Sequence, residues 1–198
     1  MSCSDRNSQK GRGEGAPTGA DAPLAGQLVT VFSAEDIAGR VRGMAAAIDA
    51  CYGDEPLVAV CVLKGACIFF SDLVRALRNR NLELEFIRIA SYGMGTASSG
   101  KVVFSKDVEN EIRDKHVLLV EDIVDSGRSM RFVLDTFAAR GPRSLRVAAL
   151  VNKTGRREKE VAVDFTGFSL ASGFLVGYGL DYAERYRGLP GIFELEPK

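Results

Sequence analysis

Apolar residues first recur at helical spacing after Ser33, where Ile37, Val41, Met44, Ala45 and Ile48 fall on one face. Ser33 can cap that helix, and Asp36 three residues on completes a near capping box. Leu57 to Leu63 is an unbroken apolar run, the pattern of a strand covered on both faces, and Lys64-Gly65 ends it. Phe69, Leu73, Ala76 and Leu77 then share a helical face, and Leu82 to Tyr92 reads as another strand. Gly93 to Gly100 is a small, polar, Gly/Ser-rich loop, after which Val102-Val103-Phe104 resumes extended structure. Val117 to Val120 predicts a short buried strand, and Met130, Val133, Leu134 and Phe137 mark the helix after it, stopped by Gly141-Pro142. Leu145 to Val151 is the next strand. This alternation predicts an α/β fold: a mostly parallel sheet flanked by helices on both faces. The chain after residue 152 is richer in strands and turns and is expected to form a smaller cap over the sheet, a C-terminal/N-terminal hood.

Composition narrows the class. The chain has 198 residues, 46% hydrophobic and 26% charged, enough for one globular domain with a sizeable core. Lys plus Arg equals Asp plus Glu at 26 each, so net charge is zero and no generic nucleic-acid or anionic-membrane footprint is present. No stretch approaches the ~18 apolar residues of a membrane helix, and the N-terminus lacks an apolar signal core. Residues 1–26 hold small, polar and charged residues with no aromatic, and are expected to be a disordered tail before a domain over 27–198, its core at about 33–152 and its hood largely at 153–198. Cys3, Cys51, Cys61 and Cys67 show no CxxC spacing and read as free, buried thiols of a cytoplasmic protein. His116, the only histidine, precedes a fully apolar strand and reads as structural.

The chemistry concentrates in Val120-Glu121-Asp122-Ile123-Val124-Asp125-Ser126-Gly127-Arg128-Ser129-Met130, which joins a buried strand to a helix. In open α/β sheets, ligands bind outside the carboxyl ends of the strands. Gly127 allows close backbone approach, Ser126 and Ser129 supply hydroxyls, and a helix N-terminus favours an anion. Glu121, Asp122 and Asp125 would repel a bare phosphate. The conflict disappears for a ligand that carries a phosphate together with a diol or a metal ion, because carboxylates accept from ribose hydroxyls and bind Mg²⁺. Simple helix capping by Asp125 and Ser126 would explain one or two of these polar residues but not three carboxylates around a Gly/Ser turn. The loop is neither a Walker A motif nor a GxGxxG fingerprint.

On this segment the chain resembles the hypoxanthine-guanine phosphoribosyltransferases, of the type I phosphoribosyltransferase fold. The resemblance runs over roughly 30–195, through Leu63-Lys64-Gly65-Ala66, Ser91-Tyr92 with its loop, Leu150-Val151-Asn152-Lys153 and Phe174 to Tyr182 in order. It implies that Asp125, Ser126, Gly127, Arg128 and Ser129 hold the 5′-phosphate, and that Glu121 and Asp122 face the ribose hydroxyls and Mg²⁺. It implies that Asp125 acts near N7 of the purine as general base, or stabilises its proton; the alternative is a helix cap. Lys153 would donate to a 6-oxo group, Phe174 would stack on the base, and the backbone of Leu175, where the family more often has Val, would read the ring edge. Asp181 would be a further Mg²⁺ contact beside the purine. Lys64, Gly65 and Arg187 would bind pyrophosphate, with a strained or cis peptide at Lys64-Gly65. Ser91 and Tyr92 would carry a lid made of the Gly93 to Gly100 loop.

The implied reaction moves a 5-phosphoribosyl group from its pyrophosphate-activated form, PRPP, to a 6-oxopurine, with Mg²⁺ as cofactor and a homo-dimer or homo-tetramer as the assembly. Two rivals share the pattern. One is a regulator of the same fold that binds the activated sugar without turnover; it should lack a base pocket and show a basic face. The other is a phosphotransfer or phosphatase domain with a nucleophilic Asp and a partner Lys, a part open to Lys153.

Overall fold

The computed structural model describes residues 26–92 and 101–197. Residues 1–25 and the loop 93–100 lie outside the described residues, so the expected tail and lid are not addressed by it. Gly26, assigned above to the tail, already belongs to strand β1 (Gly26–Phe32).

Helix α1 (Ala34–Tyr52) starts where the sequence places it. Ser33 Oγ accepts from Asp36 N at 3.1 Å, and Asp36 Oδ2 accepts from Ser33 N at 3.0 Å, so both halves of the capping box form. Its buried face is Ile37, Val41, Met44, Ala45, Ile48 and Tyr52. Strand β2 (Leu57–Leu63) is buried throughout except at its last residue, as an unbroken apolar run requires. Helix α2 (Cys67–Ala76) follows, and ends one residue before Leu77, which is extended at φ −68°, ψ 143°. Strand β3 (Leu82–Tyr92) runs parallel to β2, and β4 (Lys101–Lys106) returns antiparallel to β3.

Strand β5 (His116–Val124) is longer than the apolar run Val117–Val120, so Glu121 and Asp122 lie on the strand itself. Helix α3 (Arg128–Ala138) and strand β6 (Ser144–Lys153) complete the next unit, and β7 (Phe165–Leu170) pairs parallel with β6. The six strands lie in the order β4-β3-β2-β5-β6-β7. A second sheet is built from the chain's two ends: β1 pairs antiparallel with β9 (Ile192–Pro197), and β9 with the short β8 (Leu175–Val176). Past residue 152, β7 thus extends the large sheet, and at the other end of the chain β1 joins the small one.

Side-chain alternation along the strands divides the core in two. Ala59, Cys61, Leu118, Val120, Ala148 and Leu150 face α1 and α2. Val58, Val60, Val117, Leu119, Val147 and Ala149 face α3 through Met130, Val133 and Phe137. Leu175, Tyr178, Leu180 and Ile192 join the first cluster, and Phe32 stacks on Phe168 at 3.8 Å. These contacts seat the small sheet on the large one. His116 is structural: its Nδ1 lies 2.6 Å from Ser144 Oγ and its ring meets Tyr52 edge-on. Of the described cysteines only Cys61 is buried; Cys51 and Cys67 are free but exposed, because they sit at helix ends rather than inside an apolar run.

Candidate active site

Three neighbouring strands deliver the chemistry to one edge. β2 ends at Leu63, β5 at Val124 and β6 at Lys153, and the register Val124↔Asn152 sets Asp125 beside Lys153. The loop after β5 turns on Gly127, whose φ of 80° is left-handed and which caps α3 with its backbone alone. Neither Asp125 nor Ser126 caps the helix in the usual way: no side chain takes the N-cap role, although Ser126 Oγ lies 3.4 Å from Arg128 N. The first turn of α3 carries no acid, so its N–H groups stay open to an external anion. Glu121, Ser126, Gly127 and Ser129 line a small hollow of about 130 Å³ at that point. Arg128 does not line it; its side chain turns to Glu158, with Nε 2.6 Å from Oε2.

Glu121 and Asp122 are adjacent acids at a strand end. Burial, then the neighbouring Asp122 charge, pushes the Glu121 carboxyl well above its usual range. Burial also raises Asp122, against the hydrogen bonds it accepts, including one from Ile123 N at 2.9 Å. Gly65 is packed directly against Asp122, and a Cβ there would collide with the carboxylate. The cis peptide of this turn is Leu63-Lys64, one bond before the Lys64-Gly65 bond expected above.

A second cavity of about 490 Å³ opens beside the hollow, lined by Asp122, Asp125, Lys153, Phe174, Leu175 and Asp181 among others. Lys153 is 5% exposed. Its Nζ donates to Asp125 Oδ2 at 3.1 Å and to Gly173 O at 2.9 Å. Two of three ammonium protons are thus used, and one is left for a ligand. Asp125 Oδ1 is buried without a protein partner. Phe174 is 49% exposed and held edge-on by Tyr182 at 5.5 Å, so its face is available for stacking.

Two cations adjoin this cavity through Asp181, one of its lining residues. Arg187 pairs with Asp181 at 2.7 Å and donates to Gly179 O at 2.7 Å. Glu184 bridges Arg187 at 3.3 Å and Lys64 at 3.0 Å, which ties the two cationic side chains together. Sequence reasoning missed Glu184, and nothing local distinguishes it from a surface acid. It missed Arg157 as well, which reads as one more charge in a basic loop. Ser91 and Tyr92 end β3, their backbones paired with Val102 and Lys101. Among the described residues no three His, Cys, Asp or Glu side chains group as a protein metal cage. The acids instead flank both hollows, an arrangement that fits a cation carried in by an anionic ligand.

A mostly parallel sheet, a small antiparallel hood over its carboxyl edge and an acid-rich anion loop after β5 together define a phosphoribosyltransferase. Residues 30–183 match the family model described as phosphoribosyl transferase domain. The hypoxanthine-guanine phosphoribosyltransferase of Bacillus subtilis is 38% identical over 167 residues, 84% of this chain and 92% of its own. That of Aquifex aeolicus is 41% identical over 171 residues, 86% of this chain and 96% of its own. A solved hypoxanthine phosphoribosyltransferase from Staphylococcus aureus superposes with a TM-score of 0.81 at 34% identity, covering 88% of this chain and 92% of that one. The chain belongs to the hypoxanthine-guanine phosphoribosyltransferase family. These relatives are enzymes, and nothing in the comparisons supports a regulator without turnover.

Proposed function

We propose that the protein is a purine-salvage enzyme that transfers a 5-phosphoribosyl group from PRPP to hypoxanthine or guanine, with xanthine as a further candidate, releasing pyrophosphate. The observation that carries the reading is the Lys153–Asp125 pair, set in the larger cavity immediately beside the open N-terminus of α3. The two hollows share Ile123 and Asp125 in their linings, so one ligand with a phosphate at one end and a base at the other would reach both.

In this reading the backbone of Ser126 to Ser129, with both serine hydroxyls, holds the 5′-phosphate. Arg128 contributes its N–H, its side chain being engaged with Glu158. Glu121 and Asp122 accept from the ribose hydroxyls, and they and Asp181 would hold Mg²⁺, which would supply neutralisation of the pyrophosphate charge. Lys64 Nζ, the Gly65 backbone and Arg187 bind pyrophosphate, displacing Glu184. Phe174 stacks on the base, the Leu175 backbone and Asp181 border its edge, and Lys153 donates to its 6-oxo oxygen. A 6-amino group would leave that ammonium proton unpaired.

The C1′–O bond to pyrophosphate breaks as a purine ring nitrogen bonds to C1′, through an oxocarbenium-like state. The purine loses one proton, and the Asp125 carboxylate, one oxygen of which has no protein partner, would take or stabilise it. Ser91 and Tyr92 would carry the lid expected of 93–100, which lies outside the described residues and would exclude water as a competing nucleophile. A homo-dimer or homo-tetramer and a cytoplasmic location belong to the same proposal and rest on the family resemblance.

The test is pyrophosphate release from PRPP with Mg²⁺, with and without each base. Release that depends on hypoxanthine, guanine or xanthine supports transfer, and competition among the three ranks them. Binding without release would leave a regulator, and base-independent phosphate release would point to a phosphatase.

A further inference from the structure

We infer that Arg157 is a positioning residue that sets the angle between Asp125 and Lys153, and through them the discrimination between 6-oxo and 6-amino purines. The inference rests on the base-recognition role proposed for that pair. The β5–β6 ladder stops at Val124↔Asn152, and beyond it the two strands part towards the cavity. Carbonyl oxygens past that fork lose their cross-strand donors at the place where the site needs rigidity. Arg157 reaches into the fork. Its Nε donates to Asp125 O at 3.0 Å, and Nη1 lies 3.5 Å from Val161 O. Its Nη2 shares its two protons among Val124 O at 3.0 Å, Lys153 O at 2.7 Å and Asn152 Oδ1 at 2.5 Å. One planar guanidinium therefore holds the backbone of both members of the pair, and only arginine offers five protons in one fixed fork.

The neighbouring backbone continues the same brace. Glu158 N and Lys159 N donate to Ser126 O at 2.9 and 3.0 Å, so the anion loop is supported independently of the Arg157 side chain. The two halves of the site are thus braced unequally: Arg157 holds the backbone at Asp125 and Lys153, whereas main-chain donors hold Ser126. Loss of the guanidinium should disturb the base side and leave the sugar-phosphate side in place. None of the hydrogen-bonding atoms of Arg157 touches the larger cavity, whose lining includes Arg156 instead.

The experiment is steady-state pyrophosphate release by the full chain with hypoxanthine and with adenine, for Arg157→Met, Arg157→Lys, Lys153→Ala and the double variant Arg157→Met/Lys153→Ala. Arg157→Met is expected to lower kcat with hypoxanthine about tenfold or more, since small misplacements near a reacting centre carry large rate costs. The preference for hypoxanthine over adenine should fall about tenfold, while KM for PRPP stays within about threefold. Arg157→Lys should lie between wild type and Arg157→Met on both readouts. The double variant should be no less selective than Lys153→Ala alone, because Arg157 acts through Lys153. Wild-type kcat and selectivity in folded Arg157→Met, or a further loss of selectivity in the double variant beyond that of Lys153→Ala, overturns the inference. If Arg157→Met does not fold, Arg157→Lys decides, since three ammonium protons cannot span the same oxygens; wild-type behaviour there also overturns it. Failure of the underlying base-recognition reading would show differently, as unchanged selectivity in Lys153→Ala itself.

Discussion

Lys153 Nζ stands 3.1 Å from Asp125 Oδ2, although the two residues are 28 positions apart, one ending β6 and the other following β5. The parallel register of β5 and β6 makes them neighbours in the lining of one cavity, where the ammonium keeps one proton and the carboxylate one oxygen without a protein partner. A donor and an acceptor facing one heterocycle is the arrangement a 6-oxopurine requires. It also makes the two side chains separable by mutation.

Asp125→Asn keeps the shape of the side chain and removes its ability to take or neutralise a proton. Turnover should fall about 10²- to 10⁴-fold. KM for PRPP should change by no more than a few fold, because the hydroxyls and backbone of Ser126 to Ser129 remain. Steady-state kinetics with saturating base checks this, and near-normal kcat would remove Asp125 from the reaction.

Lys153→Ala removes the donor proposed for the 6-oxo group. The ratio of kcat/KM for hypoxanthine over adenine should drop by about 10²-fold or more, since discrimination by a polar group comes from leaving a wrong partner unpaired. An unaltered ratio would mean that another group reads that edge.

Gly65→Ala places a methyl group against the Asp122 carboxylate and must displace it. The expected result is a loss of kcat/KM of at least about tenfold with an unchanged far-UV circular dichroism spectrum, since misplacement of a contact group acts on rate. Wild-type kcat/KM would show that Asp122 tolerates the shift and that its position is not critical.

Glu121→Gln tests the electrostatics of the acidic pair. Burial and the Asp122 charge raise the folded-state pKa of Glu121 above its ordinary 4.5, so the folded protein binds that proton more tightly than the unfolded chain does. The contribution to stability is full below pH 4.5 and is lost as pH rises through the folded-state value. Without ligand, Glu121→Gln should therefore raise Tm by a few degrees near pH 8, on the order of the shift that 1 kcal/mol brings. Its Tm should also fall less than that of wild type between pH 5 and 8. Parallel Tm curves for the two proteins would contradict this assignment.

The described thiols should separate by reactivity. Burial pushes the Cys61 thiol up to about 12, whereas Cys51 and Cys67 are exposed. Peptide mapping after brief maleimide treatment of the native protein should find label at Cys51 and Cys67 and at Cys61 only after denaturation. Label at Cys61 in the native state would mean that β2 opens far more readily than its burial implies.

Much of this architecture is legible in local pattern. The capping box at Ser33 and Asp36, the apolar run of β2 and the Gly127 turn each depend on residues a few positions apart, so periodicity and turn chemistry reveal them. The acid-rich loop is legible for the same reason, since its conflict of charges is written within eleven consecutive residues. Where local signals end, pairing partners decide the element's length. Glu121 and Asp122 interrupt the apolar run, yet β5 continues to Val124, because pairing with β6 outweighs the local polarity. Leu77 matches the helical face but lies past the end of α2, where its N–H still bonds Leu73 O at 3.1 Å.

The sequence by itself determined the class of fold, the strand-to-helix loop that presents an anion site, and the residue types available for the chemistry. Tertiary structure alone decided that β1 and β9 pair to cover the sheet edge, that β7 extends the large sheet, and that Glu184 lies between Lys64 and Arg187. It alone took Arg157 out of a run of charges and set it under Asp125 and Lys153. The reason is physical: a side chain's period and neighbours are local properties of the chain, but its hydrogen-bond partners are chosen by strand register, which brings together residues separated by tens of positions.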